Sequence, residues 1–173
     1  GGIKELLWRW LQTEEAKKDP DFAPQKVFDI IGYGKTASSP AEAVPFKFLL
    51  KKDKSIMNRN KLLSVSQDLI NEKKDVYKPP KKPTFKLSGN QVRDKMFLTL
   101  ENLFKEKKIL EHGMVVGKKL AFVLSGGHTS IDKELSEDDM YALERENFIS
   151  LIQMEKTQAR IKYTLSIGKP LVN

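Results

Sequence analysis

The feature that most constrains this chain is a proline-rich break near its middle. Three prolines fall within five positions of the stretch Lys78-Pro79-Pro80-Lys81-Lys82-Pro83. Proline fixes φ and has no N–H group to donate, so neither a helix nor a central strand can run through this stretch. Lysines between prolines favour a stiff, extended linker. We therefore predict a region of residues 1–76, a Pro/Lys linker of residues 77–87 and a second region of residues 88–173.

Apolar residues near the start of the chain recur with the period of a helix. The i, i+3, i+4, i+7, i+8 pattern is formed by Ile3, Leu6, Leu7, Trp10 and Leu11. This first helix should end near Lys18, because Asp19 precedes a proline. Pro24 can open a second helix, which Gly32 and Gly34 end.

The remainder of the first region predicts a short helix, one strand and a longer helix. Ser39 and Glu42 form a capping box around Pro40. Residues 46–50 alternate weakly and are the one convincing extended segment, which would need a strand outside this chain to pair with. Asn58 or Asn60 then caps a helix. Its predicted inner face consists of Leu62, Leu63, Ser66, Leu69 and Ile70.

Four more helices follow the linker. The first opens with a capping box of Ser88 and Gln91, and the second runs from about Glu111 to two glycines at 126 and 127. The third begins with an acidic first turn after Ser136, which suits the helix dipole. The fourth covers roughly residues 156–167 and ends at Gly168. The predicted fold is therefore mainly α, with at most one short strand.

Composition limits the partners and the chemistry. The net charge is +8, but only five of the 31 basic residues are arginine, which argues against sequence-specific DNA recognition. A minority of the lysines could hold the phosphates of coenzyme A, and most are expected to lie on solvated faces. No cysteine is present, which excludes disulfides and thiolate metal sites. No apolar run approaches the length of a membrane span.

The residues that could carry chemistry do not form a catalytic set. His112 and His128 lack a partner at metal-ligand spacing, so we predict no metal site and expect both to be exposed or capping residues. The stretch Ser125-Gly126-Gly127-His128 lacks the pattern around a nucleophilic serine and predicts a glycine helix end. On residue chemistry alone, the chain contains no active site.

Three segments resemble a known class of enzyme. The opening Gly1-Gly2-Ile3-Lys4-Glu5-Leu6 resembles the loop-to-helix signature of crotonases, and residues 37–43 resemble the turn before a short helix in that family. The segment from Leu120 to Asn173 resembles the tail of the long bacterial fusions of 3-hydroxyacyl-CoA dehydrogenase and enoyl-CoA hydratase, which act in fatty-acid β-oxidation.

The resemblance implies a part of a larger enzyme. Residues 1–76 would be the C-terminal helical part of a crotonase-like module, and residues 88–173 a helical C-terminal domain. Gly1 and Gly2 would lie at the rim of the acyl-CoA pocket, with all catalytic groups upstream, so this chain alone would be inactive. The whole protein would use NAD and acyl-CoA, would be oligomeric and cytoplasmic, and would not bind nucleic acid. Its dehydrogenase and crotonase parts would be the partners of this chain, which would supply helical packing, pocket cover and subunit contacts.

A different class of function fits the same residues. The net charge and the helical patterning also suit a stand-alone basic helical module that serves in binding or as a scaffold. The two hypotheses differ in whether an enzyme sequence lies upstream of Gly1.

Overall fold

Helices dominate the computed structural model, which describes residues 1–173, and the predicted mainly-α fold is confirmed. The helices are α1 (Gly2–Leu11), α2 (Glu14–Lys18), α3 (Phe22–Gly32), α4 (Pro40–Ala43), α5 (Leu62–Lys73), α6 (Asn90–Lys105), α7 (Glu111–Leu124), α8 (Glu137–Ile152) and α9 (Glu155–Ile167). A 3₁₀ turn, Arg59–Lys61, precedes α5. Strands β1 (Thr84–Lys86) and β2 (Glu134–Ser136) pair antiparallel, with Phe85 opposite Leu135.

The chain divides into two compact units whose bounds differ from the predicted ones. Unit 1 comprises Gly1–Lys35 together with Pro83–Asn173, and unit 2 is Thr36–Lys82. Unit 2 ends inside the predicted linker. The first 35 residues, however, belong with the C-terminal helices, because α1 packs against α7 and α8, and α3 packs against α6 and α7. Two amphipathic helices bury more apolar surface when they also pack against three other helices than when they pack only against one another.

Unit 1 has a single core centred on α7, which contacts α1, α3, α6 and α8. The predicted stripes of α1 and α6 supply much of this core. Its fully buried side chains include Leu7, Val27, Val92, Met96, Leu124 and Met140. Burying each such side chain stabilises the fold by about 1.5–3 kcal/mol. The apolar stripes that the sequence shows are therefore the main reason that these helices meet.

Polar contacts fix α1 against α8. Lys4 is buried, and its Nζ donates to Glu137 Oε1 at 2.6 Å, while its backbone N–H donates to Glu144 Oε1 at 2.6 Å. Burial alone would lower the pKa of Lys4, but the hydrogen bonds with Glu137 and Tyr141 outweigh it and raise that pKa. The Glu144 carboxylate also lies at the N-terminus of α1, where a negative charge is favourable.

A buried carboxylate joins the start of α3 to α6. Asp21 is almost fully buried and accepts hydrogen bonds from Ser88 Oγ, from Gln91 Nε2 at 3.3 Å and from Lys95 Nζ at 2.8 Å. The predicted capping box of Ser88 and Gln91 is therefore wrong, because both side chains bind Asp21. Gly89 is the residue before α6 instead. Its φ is +60°, and a Cβ there would lie 1.9 Å from the carbonyl oxygen of Thr129.

The strand prediction is also wrong. Residues 46–50 form turns, because Lys47 has a φ of +58° and the rings of Phe46 and Phe48 pack on each other at 5.5 Å. The chain has two short strands rather than at most one. The sequence signal for β1 is Phe85 between two polar residues directly after Pro83, and Phe85 is fully buried.

Two helix starts that were predicted in unit 2 are confirmed, and one predicted buried face is wrong. Ser39 Oγ accepts from the Glu42 N–H before α4, and Asn58 caps the 3₁₀ turn. The predicted inner face of α5 is instead largely exposed, because the preceding 3₁₀ turn is the one element that makes more than slight contact with this helix. Leu63 is 79% exposed and Ile70 is 65% exposed.

Replacing Asp21→Asn should lower the free energy of unfolding by about 1.5–3 kcal/mol at neutral pH, because an amide cannot accept from all three donors. Burial alone would raise the pKa of Asp21, but the hydrogen bonds from Lys95, Ser88 and Gln91 lower it overall. The stabilisation is thus present above pH ~4 and is lost as pH falls through the lowered pKa. Urea unfolding across this range measures both effects.

The matched control is Asp94→Asn, the same change at an exposed position of α6. It should leave the free energy of unfolding within about 0.5 kcal/mol of the parent value. Equal stabilities for the two variants would contradict the role assigned to Asp21.

Candidate functional site

Unit 1 contains an apolar cavity of about 540 Å³ between α3, α6, α7 and the C-terminal segment. Its apolar lining is formed by Phe28, Ile31, Leu100, Leu103, Ile109, Leu110, Val116, Leu120, Pro170, Leu171 and Val172. Tyr33, Leu110 and Val172 are all exposed at the rim, so the cavity is open to solvent. A space of this size and polarity lies within the range of small-molecule sites, about 300–1,000 Å³.

Two glycines on α7 shape this cavity. A Cβ at Gly117 would lie 2.5 Å from Leu100 Cδ2, so a larger residue there would require the Leu100 side chain to move where α6 crosses α7. One turn earlier, a Cβ at Gly113 would lie 3.3 Å from Ile109. Both glycines line the cavity, and their missing side chains leave part of its volume free. The absence of side chains at these two glycines therefore explains both the close crossing of α6 and α7 and the open space beside it.

Three charged residues stand among the apolar ones. Lys108 Nζ bonds Glu106 at 2.7 Å, and this contact raises the pKa of the lysine. Burial lowers the pKa of Arg160, although a guanidinium stays charged in proteins. Desolvation raises the pKa of Asp29, and the positive charge of Lys26 lowers it by less. The cavity therefore combines apolar walls with two cations and one carboxyl group, an arrangement that suits an amphipathic anion.

A smaller apolar cavity, of about 210 Å³, lies beside the first one. The two share Ile31, Val116 and Leu120, which form the partition between them. The far side of the smaller cavity is formed by α1 and α8, including Phe148, which is 59% exposed. Together the two cavities form an apolar surface across unit 1.

Arg160 holds the C-terminal segment at the rim of the larger cavity. Its Nε donates to Asn173 Oδ1 at 2.7 Å, and its Nη2 donates to the carbonyl oxygen of Asn173 at 3.2 Å. Asn173 Nδ2 in turn donates to the carbonyl oxygen of Lys156 at 3.1 Å. These bonds tether residues 170–172 where they line the cavity.

His112 fixes α9 against α7. It is buried, and its Nε2 lies 2.8 Å from Thr157 Oγ1. Burial lowers its pKa, and the positive charges of Arg160 and Lys156 lower it further. The expectation of an exposed or capping residue is thus wrong for His112. It is correct for His128, which is exposed and meets Phe122 edge to face.

The site residues predicted from the sequence lie elsewhere. Gly1 and Gly2 are exposed at the start of α1 and line neither cavity; the amino group of Gly1 contacts Glu144. No group of three or more histidine, cysteine or acidic side chains is placed to hold a metal ion. None of the helices combines the length and the apolarity that a membrane span needs. Sequence reasoning missed the cavity, although Gly113 and Gly117 inside an apolar helix were its signal.

Comparison with known proteins gives one relative. The chain is 33% identical over 174 aligned residues to a probable 3-hydroxyacyl-CoA dehydrogenase from Bacillus subtilis (strain 168). The alignment covers all of this chain but only 22% of the relative, so the chain spans about a fifth of that protein. No family model matches the chain, and no solved structure matches it. The predicted similarity to a 3-hydroxyacyl-CoA dehydrogenase is thereby confirmed at the level of a part of such a protein.

Replacing His112→Gln should remove a component of the pH dependence of stability. The unfolded chain takes up a proton at this histidine near pH ~6.5, while the buried ring resists it. The free energy of unfolding of the parent chain should therefore fall as pH drops below that value. Urea unfolding above and below pH ~6.5 should show a shallower fall for the variant. The control His128→Gln makes the same change at an exposed ring, and a His112→Gln slope equal to the parent's would contradict the role assigned to His112.

Proposed function

We propose that this chain is the C-terminal segment of a longer 3-hydroxyacyl-CoA dehydrogenase of fatty-acid oxidation, which also carries an enoyl-CoA hydratase part of the crotonase type. The observation that carries this proposal is the identity of 33% along the whole chain to a probable enzyme of that name. The coverage of only 22% of that relative supports a segment rather than a complete enzyme. The cytoplasm is the proposed location.

The segment is proposed to cover the acyl-CoA pocket rather than to catalyse. The larger cavity offers apolar walls for an aliphatic chain, and each buried methylene contributes about 0.8 kcal/mol. Lys108 and Arg160 are suited to the negatively charged coenzyme A portion. The hydrating and oxidising groups would lie in the upstream parts, which this segment would contact within an oligomer.

NAD would be bound upstream of this chain. A dinucleotide needs a strand, a glycine-rich turn and a helix whose N-terminus meets the pyrophosphate. Here each strand has three residues, and the two strands pair antiparallel with one another. The residues of this chain therefore do not fit NAD. Gly1 and Gly2 remain proposed as part of the rim of the hydratase pocket, which residues outside this chain would complete.

Filling the cavity should impair long substrates selectively. Thr99 lines the cavity, whereas its neighbour Leu98 is 58% exposed and does not. In the full-length protein, Thr99→Trp should lower kcat/KM for a long-chain 3-hydroxyacyl-CoA about tenfold or more, mainly through KM. The value for the four-carbon substrate should change less than about twofold. NAD reduction, followed by absorbance, measures both.

Leu98→Trp provides the matched control, because it adds the same side chain on the outer side of α6. It should leave both substrates unaffected. Equal losses for short and long substrates in Thr99→Trp would contradict the cavity's role, and an inactive full-length parent protein would contradict the proposed enzyme itself.

A further inference from the structure

Unit 2 concentrates the positive charge of the chain. Thr36–Lys82 contains eleven lysines and arginines and five acidic residues, so it carries +6 of the net +8. All of these basic residues except Lys47 are exposed. Most of the net charge thus lies in about a quarter of the chain, at its surface.

The same unit exposes large apolar side chains. We define the α5 face as Leu62, Leu63, Leu69, Ile70 and Lys73, which the helical period places on one side of α5. None of them is buried. Met57, which precedes the helix, is 93% exposed, and Tyr77, which follows it, is also exposed. Single exposed apolar residues are ordinary, but several of them on one face of a helix indicate an interaction.

The acidic residues of α5 are segregated from this face. Asp68 and Glu72 lie on the opposite side of the helix, whereas Lys73 lies within the face and Lys74 at its edge. A helix that lies in the interface plane of a membrane inserts its apolar face, and basic residues beside that face attract anionic lipid. Tyrosine is enriched at the interface between membrane and water, because its ring is apolar and its hydroxyl group is polar.

We propose that the α5 face and its neighbouring lysines bind the surface of an anionic phospholipid bilayer peripherally. The apolar side chains enter the boundary of the acyl chains, and the lysines attract the phosphate groups. A nucleic acid would satisfy the lysines but would leave the exposed leucines in contact with water. Charge and apolarity together therefore favour a lipid surface. This inference does not depend on the proposed dehydrogenase function.

Sedimentation of the purified chain with vesicles tests the proposal. The chain should bind vesicles of phosphatidylglycerol and phosphatidylcholine in equal parts, and the binding should weaken as salt is added. It should not bind vesicles of phosphatidylcholine alone. Equal binding to the two kinds of vesicle, or tighter binding to duplex DNA at the same salt concentration, would overturn the proposal.

Two double variants locate the surface. Lys73→Glu with Lys74→Glu should weaken binding about tenfold or more, and so should Leu63→Ser with Ile70→Ser. The matched control is Lys17→Glu with Lys18→Glu on α2, which makes the same change of charge in unit 1 and should change binding less than about twofold. Circular dichroism confirms that each variant is folded.

Two further results would mean that these residues do not form a membrane-binding surface. An equal loss of binding in the α2 control would mean that the net charge of the chain decides binding, and not the position of Lys73 and Lys74. A stable dimer of the chain that the serine variant converts to a monomer would assign the α5 face to self-association. Either result would overturn the proposal.

Discussion

Unit 1 depends on one helix with an unusual surface. Helix α7 is apolar on most of its circumference, so it is stable only when other helices surround it. Both of its glycines line the cavity, Gly117 faces Leu100 of α6, and Ala121, Val123 and Leu124 are buried. The requirement to cover α7 brings helices from both ends of the chain together. The same requirement explains why Gly1–Lys35 joins the C-terminal helices rather than unit 2.

The cavity follows from how this helix is covered. Where α6 crosses α7, Gly117 removes the side chain that would hold the two helices apart, and Leu100 fills the crossing. Toward the start of α7, the end of α3 and the C-terminal segment complete the wall without filling the interior. The segment stays in place because Arg160 binds Asn173 and because His112 holds α9 through Thr157. In the proposed enzyme, an apolar space of this kind would cover an acyl chain without taking part in the chemistry.

The sequence predicted those elements that local chemistry decides. Ser39 and Ser136 begin helices because their side-chain oxygens accept from nearby backbone N–H groups, and Gly168 ends α9 in the left-handed conformation. These effects involve only residues that are neighbours in the sequence. Contacts between distant residues were not predictable. Ser88 looked like a cap because its partner, Asp21, lies 67 residues away. The apolar period of α5 looked like a buried face because a pattern shows amphipathicity and not what covers it.

The cavity lay beyond sequence reasoning for a similar reason. Its walls come from α3, α6, α7 and the C-terminal segment, which become neighbours only in the fold. Glycines inside an apolar helix can indicate a close approach, but they do not show which helix approaches or what space results. The similarity to a dehydrogenase, by contrast, was visible from short segments, because it depends on residue identities and not on packing.

The measurement that tests the account most directly is a calorimetric titration of this chain with acyl-CoA thioesters of increasing chain length, below their micelle concentrations. Each added methylene should increase the affinity up to about fourfold until the cavity is full, after which the affinity should level off. Coenzyme A without an acyl chain should bind weakly. An affinity that is independent of acyl length, or the absence of binding at every length, would contradict the assignment of the cavity to an acyl chain.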